Sequence, residues 1–521
     1  MALAALPATG QKPAPLQPPP AVEATRAWRA EHGAEVLRAY AELLKIPNVA
    51  SDEPNIRRNA EAIRDLFARR GAHMELLEVP GTPPVVFGTL PATHDPETAP
   101  TLLLYVHYDG QPVDPERWTH GPWTPTLYTR SMEDGGQPRP MPEPGEPIDP
   151  DWRLYARAAG DDKAPLPALW AAVDALEAAG VPRTVNLKLF FEGEEEAGSP
   201  HLRQVLETYR DRLDGDLWLF LDGPVHQSGR PQLFYGVRGI ATMDLTVYGA
   251  SRYLHSGHYG NWAPNPNLLL AHLLASFKDP DGTVHVEGYH DTVVPPGPAE
   301  REALTAYPEF EAELRRELGL AVSEGGNDVR YLDRLMLPSL NIRGLAGATV
   351  GETARNVIPP EATAALDLRL VEGNDPEAMM DLVEAHIRRQ GFHIVREAPD
   401  LETRRANPRL VRVVRHGGYP AVRTPMDLPM AQRIVEAATA AAPRPLVLTP
   451  TLGGSLPLYL FREILGTPLI GVPIANHDDN QHAPDENLRL GNLWYGIDLM
   501  ASLMTLEPFS VEAGATDEPD P

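Results

Sequence analysis

The sequence contains no cysteine among its 521 residues. This absence excludes disulfide bonds, a thiolate nucleophile and a thiolate metal site, so any bound metal ion must be held by histidine, aspartate and glutamate. No apolar run approaches the ~20 residues that a membrane-spanning helix needs. Positive charge is scarce too: 46 Lys and Arg against 72 Asp and Glu give a net charge of −26, which argues against nucleic acid as a partner.

Length and composition indicate more than one folded unit. A chain of 521 residues exceeds one ordinary hydrophobic core, so we expect two domains or one domain with a large insertion. Residues 1–24 are rich in Pro and Ala and lack the basic start and long apolar centre of a secretory signal, which favours a loosely ordered leader. Residues 509–521 form an acidic tail, which we also exclude from the fold prediction.

Four short apolar runs end in residues that can carry chemistry. "TLLLYV" is followed by His107 and Asp109, and "VNLKLFFEG" by three glutamates. "DLWLFL" is followed by Asp222, and "TPLIGVPIAN" by a segment that contains His482. Unbroken apolar runs are typical of strands covered by helices on both faces, and the site of such a sheet lies at the carboxyl ends of its strands. A helical pattern that stops at Gly180 alternates with the strands, so the sequence predicts an α/β domain.

The pattern changes between the third and the last of these runs. "ATMDLTVYGA" and "ATAALDLRLVEG" alternate apolar and polar residues, which is typical of antiparallel strands with one solvated face. Apolar helical segments at 265–277 and ending at Gly391 would cover the other face. We therefore predict a smaller α+β domain at 231–415, inserted into a discontinuous catalytic domain at 25–230 and 416–508.

Histidines and carboxylates at the ends of several strands suit zinc or another borderline divalent ion. A site for two ions that share a bridging carboxylate needs two histidines and several acids. The residues that supply this set are His107, Asp161, Glu195, Glu196, Asp222 and His482. Any one of them alone would more often be structural, and their common placement after strands makes the set a candidate metal site.

Five short motifs occur in order along the chain: "VHYDGQPVD", "GDDKAP", "EGEEEAGS", "FLDG" and "HAPDEN". They resemble the metal-site motifs of the M20 family of zinc-dependent peptidases and deacylases, over nearly the whole chain after the leader. "YLHSGHYG", "RNVIPPEATAALDLRLV", "RHGG" and "LGGSLP" resemble its carnosinase-like branch of cytosolic non-specific dipeptidases. The resemblance implies a cytoplasmic homodimer. It also implies a mixed, mainly parallel sheet with helices on both faces, and an inserted ferredoxin-like domain that serves as lid and dimerisation unit.

The resemblance assigns five ligands to two zinc ions. One ion would be held by His107 and Asp222, and the other by Glu196 and His482. Asp161 would bridge the two ions. Manganese and cobalt are alternatives to zinc.

The resemblance also assigns the catalytic groups. Asp109 would fix the tautomer of the first histidine ligand, as carboxylates behind a metal ligand do. Glu195 would be the general base, taking a proton from water at the metal site and so giving the hydroxide that attacks the peptide bond. The peptide bond Asp161–Asp162 is expected to be cis, as in the family.

Three positions leave alternatives open. Glu194 occupies a position that is commonly apolar in the family; we expect it to be solvated, and Glu194–Glu195 is the less favoured base and ligand pair. His477 competes with His482 as the C-terminal ligand, and the motif "HAPDEN" favours the latter. Ala164 stands where family members usually have Gly.

Substrate contacts are implied chiefly in the inserted domain. His255 of "LHSG" would reach across a dimer interface into the partner's site and donate to the oxyanion. Arg369, Asn356 and His416 would bind the substrate carboxylate or peptide, with Ser455 of "GGSLP" lining the same pocket. Each has an ordinary alternative role, since Arg369 could be a solvated charge on a strand and Ser455 a turn residue.

The function implied is a metallopeptidase that cleaves dipeptides or short peptides, with no cofactor beyond two divalent ions. An N-acyl-amino-acid deacylase or carboxypeptidase is the alternative with the same chemistry. An inactive metal-binding scaffold is the non-enzymatic alternative, although Glu195 and every expected ligand are present. A serine hydrolase is set aside because the sequence has no G-x-S-x-G motif.

Overall fold

The computed structural model describes residues 19–507. In chain order the helices are α1 (Pro20–Leu44), α2 (Glu53–Ala68), α3 (Pro165–Ala179), α4 (Leu202–Thr208), α5 (Ser256–Tyr259), α6 (Pro266–Phe277), α7 (Pro298–Ala306), α8 (Glu311–Glu317), α9 (Tyr331–Leu335), α10 (Pro376–Arg389), α11 (Leu401–Ala406), α12 (Pro429–Ala441), α13 (Tyr459–Leu465) and α14 (Leu490–Met504).

The strands are β1 (His73–Leu77), β2 (Val85–Leu90), β3 (Thr101–His107), β4 (Thr126–Tyr128), β5 (Pro138–Arg139), β6 (Arg153–Tyr155), β7 (Asn186–Glu192), β8 (Leu217–Phe220), β9 (Gln232–Phe234), β10 (Gly236–Val237), β11 (Gly239–Tyr248), β12 (Leu254–His255), β13 (Ser339–Ala346), β14 (Val357–Ile358), β15 (Glu361–Leu370), β16 (His393–Val395), β17 (Leu410–Tyr419), β18 (Val422–Arg423), β19 (Val447–Thr449), β20 (Leu469–Gly471) and β21 (Asn487–Arg489).

The larger sheet is mixed, with the strand order β1-β2-β7-β3-β8-β20-β9-β19. Its central strands β7, β3, β8 and β20 run parallel, whereas β1, β2 and β9 pair antiparallel with neighbours. In β3, Leu102 and Leu104 belong to the hydrophobic cluster that includes residues of α1, α3 and α14. Leu103 and Tyr105 belong to the cluster that includes residues of α4 and α13. Both faces of the strand are therefore covered, which explains its unbroken apolar sequence and confirms the α/β prediction.

Helix α3 lies against the larger sheet and fixes the segment that precedes it. The helix packs against α1 and α14 and is buried at eleven of its fifteen positions. It ends at Gly180, whose φ of 65° is left-handed, as the sequence predicts. Because α3 begins at Pro165, the motif "GDDKA" is held between a buried helix and the carboxyl edge of the sheet.

The smaller sheet has the strand order β13-β15-β11-β17-β16. The predicted alternation is present in β15, where Leu366 and Leu368 are buried in a cluster with residues of α6 and α10. In the chain this sheet lies between β9 and β19 of the larger sheet, so one unit is interrupted by the other. The predicted insertion begins at residue 231, yet the strand β9 still belongs to the larger sheet. The prediction missed it because a strand of three residues is too short to show a period. At the other end β17 runs to Tyr419, past the predicted limit at residue 415.

The predicted leader extends into the folded part of the protein. α1 begins at Pro20, and its Thr25 hydroxyl donates to Asp498 of α14 over 2.7 Å. Residues 20–24 are therefore helical, while residues 1–18 and 508–521, which include the predicted tail, lie outside the described residues. None of the helices within residues 19–507 is both long and apolar enough to span a membrane.

Candidate active site

His107, at the end of β3, is held between two carboxylates. Its Nε2 atom lies 2.9 Å from Oδ1 of Asp161, and its Nδ1 atom lies 3.4 Å from Oδ1 of Asp109. Its main-chain N–H donates to the carboxylate of Asp162 over 3.2 Å. The ring is buried, so its orientation is fixed on every side.

Asp161 is the carboxylate that both candidate histidines reach. Its Oδ2 atom lies 3.1 Å from Nε2 of His482, on the opposite side from His107. The peptide bond Asp161–Asp162 is cis, which confirms that expectation. The loop is anchored by buried Glu486, whose carboxylate accepts the main-chain N–H groups of Ala158, Gly160 and Asp161 over 2.9–3.1 Å.

The adjacent glutamates of "GEEEAGS" point to different histidines. Glu195 and Glu196 lie in a single 3-10 turn, Glu195–Ala197. The carboxylate of Asp109 accepts the main-chain N–H groups of Glu195 and Glu196 over 3.1 and 3.0 Å. Glu196 Oε2 lies 3.3 Å from His482 Nε2, and Glu195 Oε2 lies 4.0 Å from His107 Nε2. Asp109 thus contacts both the histidine and the turn that carries the acids.

The arrangement fits two divalent cations. Asp222, just after β8, groups with His107 and Glu195, and a second group contains His107, Asp161 and Glu196; within each group the potential ligand atoms all lie within 4.8 Å of one another. Imidazole and carboxylate donors at such separations are those that zinc and similar ions take.

The electrostatics of the site point the same way. Burial and the neighbouring carboxylates raise the pKa of Glu195 to about 9 and that of Asp222 to about 6. Burial opposes ionisation of Asp161 as well, but its hydrogen bonds with His107 and His482 hold its pKa well below the usual value. Gathering these acids in a buried place is unfavourable by itself, and cations would offset that cost.

The C-terminal histidine of the site is His482, as the sequence favours. Its backbone has φ of 63°, in the left-handed region that residues other than glycine rarely adopt, and Asn480 and Asp485 share this conformation. Such backbone conformations concentrate at functional sites. His477 is exposed and lines a different cavity, together with Arg444 and Arg489.

The prediction that Glu194 is solvated is wrong. The residue is only 6% exposed, and its carboxylate accepts the main-chain N–H of His201 over 3.0 Å and lies 3.0 Å from the Nδ1 atom of the same residue. His201 is the residue before α4, so Glu194 satisfies a free N–H at the start of that helix. A partner seven residues away, reached through a turn, is not visible in a run of three glutamates.

Two of the predicted substrate contacts come together from distant parts of the chain. Arg369 Nη1 donates to Ser455 Oγ over 2.7 Å. Tyr419 joins them: burial raises its pKa, Arg369 opposes this rise and the charge of Glu195 adds to it. Tyr419 was missed because a tyrosine at the end of an alternating strand carries no sequence signal of function.

The other predicted contacts lie elsewhere in the single chain. His255 and Asn356 are both exposed. They are close to each other, because the main-chain N–H of Ser256, the residue after His255, donates to the carbonyl of Asn356 over 3.0 Å. His416 Nε2 lies 2.9 Å from Oδ2 of Asp244 on the smaller sheet. Among residues 19–507, no hydrogen bond or ion pair joins these three to the candidate metal ligands.

Two glutamines near the acids were also missed. Gln111 donates to Glu196 over 2.6 Å, and Gln481 donates to Asp161 over 2.8 Å. Both lie within or beside quoted motifs, two residues after Asp109 and one before His482, which was the only indication available. Each amide keeps one oxygen of an acid oriented.

Comparison with known proteins supports the geometry. The profile described as Peptidase family M20/M25/M40 matches residues 103–506. The Cys-Gly metallodipeptidase dug1 of Schizosaccharomyces pombe is 26% identical over 488 residues, covering 90% of this chain and 94% of that protein. The Beta-Ala-His dipeptidase of Homo sapiens is 26% identical over 429 residues, covering 81% and 76%.

Among solved structures, the M20 family metallo-carboxypeptidase Sso-CP2 from Sulfolobus solfataricus has a TM-score of 0.69 and 26% identity, covering 91% of this chain and 99% of that one. The family match spans most of the chain and includes every candidate metal ligand. This confirms the resemblance inferred from the five motifs. The chain belongs to the peptidase family M20/M25/M40.

Proposed function

We propose that the protein is a two-metal hydrolase that cleaves the peptide bond of dipeptides or short peptides. The observation that carries this proposal is the carboxylate of Asp161, which lies within 2.9 Å of His107 and 3.1 Å of His482 and has an acid beside each histidine. The names of the two dipeptidase relatives support the substrate class.

His107 and Asp222 would hold one ion, Glu196 and His482 the other, and Asp161 both. Zinc is the ion we favour, with manganese and cobalt as alternatives. When bound, the ions would supply Lewis-acid chemistry, lowering the pKa of water from ~15.7 towards ~7 and stabilising negative charge on the carbonyl oxygen.

Glu195 is the general base in this proposal. No hydrogen bond from residues 19–507 occupies its carboxylate, whereas Glu196 is oriented by Gln111. The N–H group of Glu195 is held by Asp109, so the carboxylate is placed by its backbone and remains available. It would take a proton from the attacking water and deliver it to the leaving amine.

The substrate would be held by groups from both sheets. Arg369 and Ser455, joined by their hydrogen bond, offer donors for a C-terminal carboxylate. His416 and Asn356 are further proposed contacts. His255 would come from the partner of a homodimer formed through the inserted, ferredoxin-like domain. Trp262 and Val350, which lie seven residues after His255 and six before Asn356, are 79% and 85% exposed and suit a face covered by a partner. The cytoplasmic location stays a prediction.

One observation favours the alternative with the same chemistry. The solved structure with a TM-score of 0.69 is that of a metallo-carboxypeptidase, not of a dipeptidase. A deacylase or carboxypeptidase would need the free carboxylate of its substrate but not a free amine on the other side.

The test is a substrate screen with metal-loaded, full-length protein. The panel contains Cys-Gly, β-Ala-His and other dipeptides, the same dipeptides with an amidated C-terminus, and N-acetyl amino acids. We expect hydrolysis of free dipeptides and loss of activity on amidated ones. Preference for N-acetyl amino acids would establish the alternative, and no turnover of any compound would indicate a scaffold. Glu195→Gln protein, purified identically, controls for contaminating peptidases.

A further inference from the structure

A second cavity, of about 390 Å³, lies at the edge of the smaller sheet. Its lining comes from residues between Arg238 and Ser339, including the start of β13 and helices α8 and α9, and contains none of the candidate metal ligands. Cavities of this size accept small molecules.

One of the residues that line the cavity is a buried cation. Arg238 is 5% exposed, and its Nη2 atom donates to the carbonyl of Leu337 over 2.7 Å and to Ser339 Oγ over 3.2 Å. Its Nε atom is buried and has no hydrogen-bond partner within the described chain. Burial and the positive charge of Arg369 lower the pKa of Arg238 to about 10. A buried guanidinium with an unsatisfied N–H is unfavourable unless an anion joins it.

The other charges around the cavity do not neutralise this cation. Arg315 and Arg334 also line it, and neither forms an ion pair with a carboxylate of residues 19–507. The acids of the lining are already engaged: Glu311 accepts the N–H groups of Tyr331 and Phe310 over 2.9 and 3.1 Å, and Glu324 pairs with Lys278. Although the protein has a net charge of −26, the three arginines of this cavity have no acidic ion-pair partner among the described residues.

The remaining wall is apolar. Leu314, Leu335 and Leu337 line the cavity, and Leu318 and Leu320 at its edge are 58% and 50% exposed. Leucines left this open to water just after α8 suit contact with an apolar ligand. The lining of the cavity therefore combines a buried arginine that has an unpartnered N–H with an apolar wall.

We propose that this cavity binds a small amphiphilic monocarboxylate, with its carboxylate at Arg238 and its hydrocarbon chain along the leucines. The ligand would be sensed near the candidate active site. Arg238 Nη2 also lies 3.4 Å from the carbonyl of Arg369, and the main-chain N–H of Arg238 donates to the carbonyl of Gly454, beside Ser455.

The test is calorimetric titration of full-length, metal-loaded protein with octanoate, octan-1-ol and acetate. Acetate reports carboxylate binding at the metal ions or at Arg369, and octanol reports the apolar wall alone. We expect octanoate to bind at least tenfold more tightly than either. Equal affinity of octanoate and octanol, or of octanoate and acetate, would overturn the proposal.

Variants locate the binding. Arg238→Gln should remove the preference for octanoate over octanol, whereas Arg412→Gln, an arginine of the smaller sheet outside the cavity whose Nε also lacks a partner, should keep it. If Arg238→Gln does not fold, the surface double variant Leu318→Ser/Leu320→Ser should bring octanoate affinity down to that of acetate. Octanoate binding that persists in this double variant, or that disappears on chelation of the metals, would place the ligand elsewhere and refute the proposal.

Discussion

Buried carboxylates have opposite electrostatic environments in the smaller unit and at the edge of the larger sheet. In the smaller unit, Glu384 of α10 is 1% exposed and is surrounded by Arg388, Arg396 and Arg415 at 2.7–3.0 Å. Although burial opposes ionisation, Arg396 and Arg415 lower the pKa of Glu384. At the edge of the larger sheet, burial and like charges raise the pKa of Glu195 and Asp222.

This difference in pKa indicates different roles for Glu384 and for the acids of the larger sheet. Three guanidiniums neutralise Glu384 within the chain, so this cluster is complete and serves stability. Within residues 19–507, the ion pairs of the four acids at the larger sheet involve only the imidazoles of His107 and His482, so bound cations would complete the charge balance. These acids are Asp161, Glu195, Glu196 and Asp222. Buried negative charge without internal cations is thus the physical mark of the candidate metal site.

Removing external cations should have the largest effect. We expect about two equivalents of divalent metal per chain and complete loss of peptidase activity on strong chelation, because the six-residue set suits two ions. Glu196→Gln should lose metal, whereas Glu207→Gln, an exposed acid of α4, should not. Elemental analysis measures both, and a single tightly held ion at full activity would contradict the bridging role of Asp161.

Glu195→Gln should separate catalysis from charge balance. We expect metal content close to that of the unmodified protein and a kcat lower by ~10²–10⁴-fold, the usual range for a positioned acid or base. Steady-state kinetics and elemental analysis on the same preparation provide the measurement. If Glu195→Gln loses metal and Glu196→Gln keeps it, the assignment of base to Glu195 and of ligand to Glu196 is wrong.

His255→Ala tests whether the smaller unit contributes to the site of a partner. An oxyanion donor is worth ~2.7–4 kcal/mol, so kcat should fall by ~10²–10³-fold without metal release. Mixing His255→Ala with Glu195→Gln should restore activity on subunit exchange, because one site of the heterodimer carries both changes and the other neither. A verified heterodimer that stays inactive would show that His255 does not act across the interface.

Glu384→Gln should have the smallest effect on activity and a clear effect on stability. Loss of the charge-assisted hydrogen bonds should lower the free energy of unfolding by roughly 1–3 kcal/mol, with kcat and metal content unchanged. Glu377→Gln, which removes an exposed partner of Arg415, is the matched control and should change stability by less than ~0.5 kcal/mol.

The same cluster gives a pH dependence of known sign. The pKa of Glu384 is lower in the folded protein, so its contribution is complete above the ordinary glutamate pKa of ~4.3 and is lost as pH falls through the lowered folded value. Denaturant unfolding at pH 7 and at pH 3 should therefore show a smaller difference between Glu384→Gln and the unmodified protein at the lower pH. An equal difference at both values would exclude an electrostatic role.

The sequence predicts those features that depend on periodicity and on strand ends. The unbroken apolar run before His107 and the alternation around Leu368 identify the two kinds of strand. A strand buried on both faces has consecutive apolar residues, whereas a strand buried on one face alternates apolar and polar residues. Convergence of His107, Asp222 and His482 also follows from the carboxyl edge of a parallel sheet.

The features that the sequence did not predict depend on contacts between residues that are distant in the chain or are brought together by a turn. The burial of Glu194 depends on His201 and the start of α4, and the roles of Gln111 and Gln481 depend on where a loop returns. The strand β9 is too short to show a pattern. The arginine-lined cavity brings Arg238 together with residues some eighty to a hundred positions later in the chain, so no local motif predicts it.

The interruption of one sheet by the other has a consequence for synthesis. β11 to β17 and their helices leave the ribosome before β19, β20 and His482, so the smaller unit can fold while the larger sheet still lacks its last strands. His107 must then wait for a residue made 375 positions later, so the candidate metal ligands come together only after the smaller unit has been made. A nascent chain released before Leu469 would keep the folded smaller unit but no complete candidate site, so any metal uptake would have to follow synthesis of the last strands of the larger sheet.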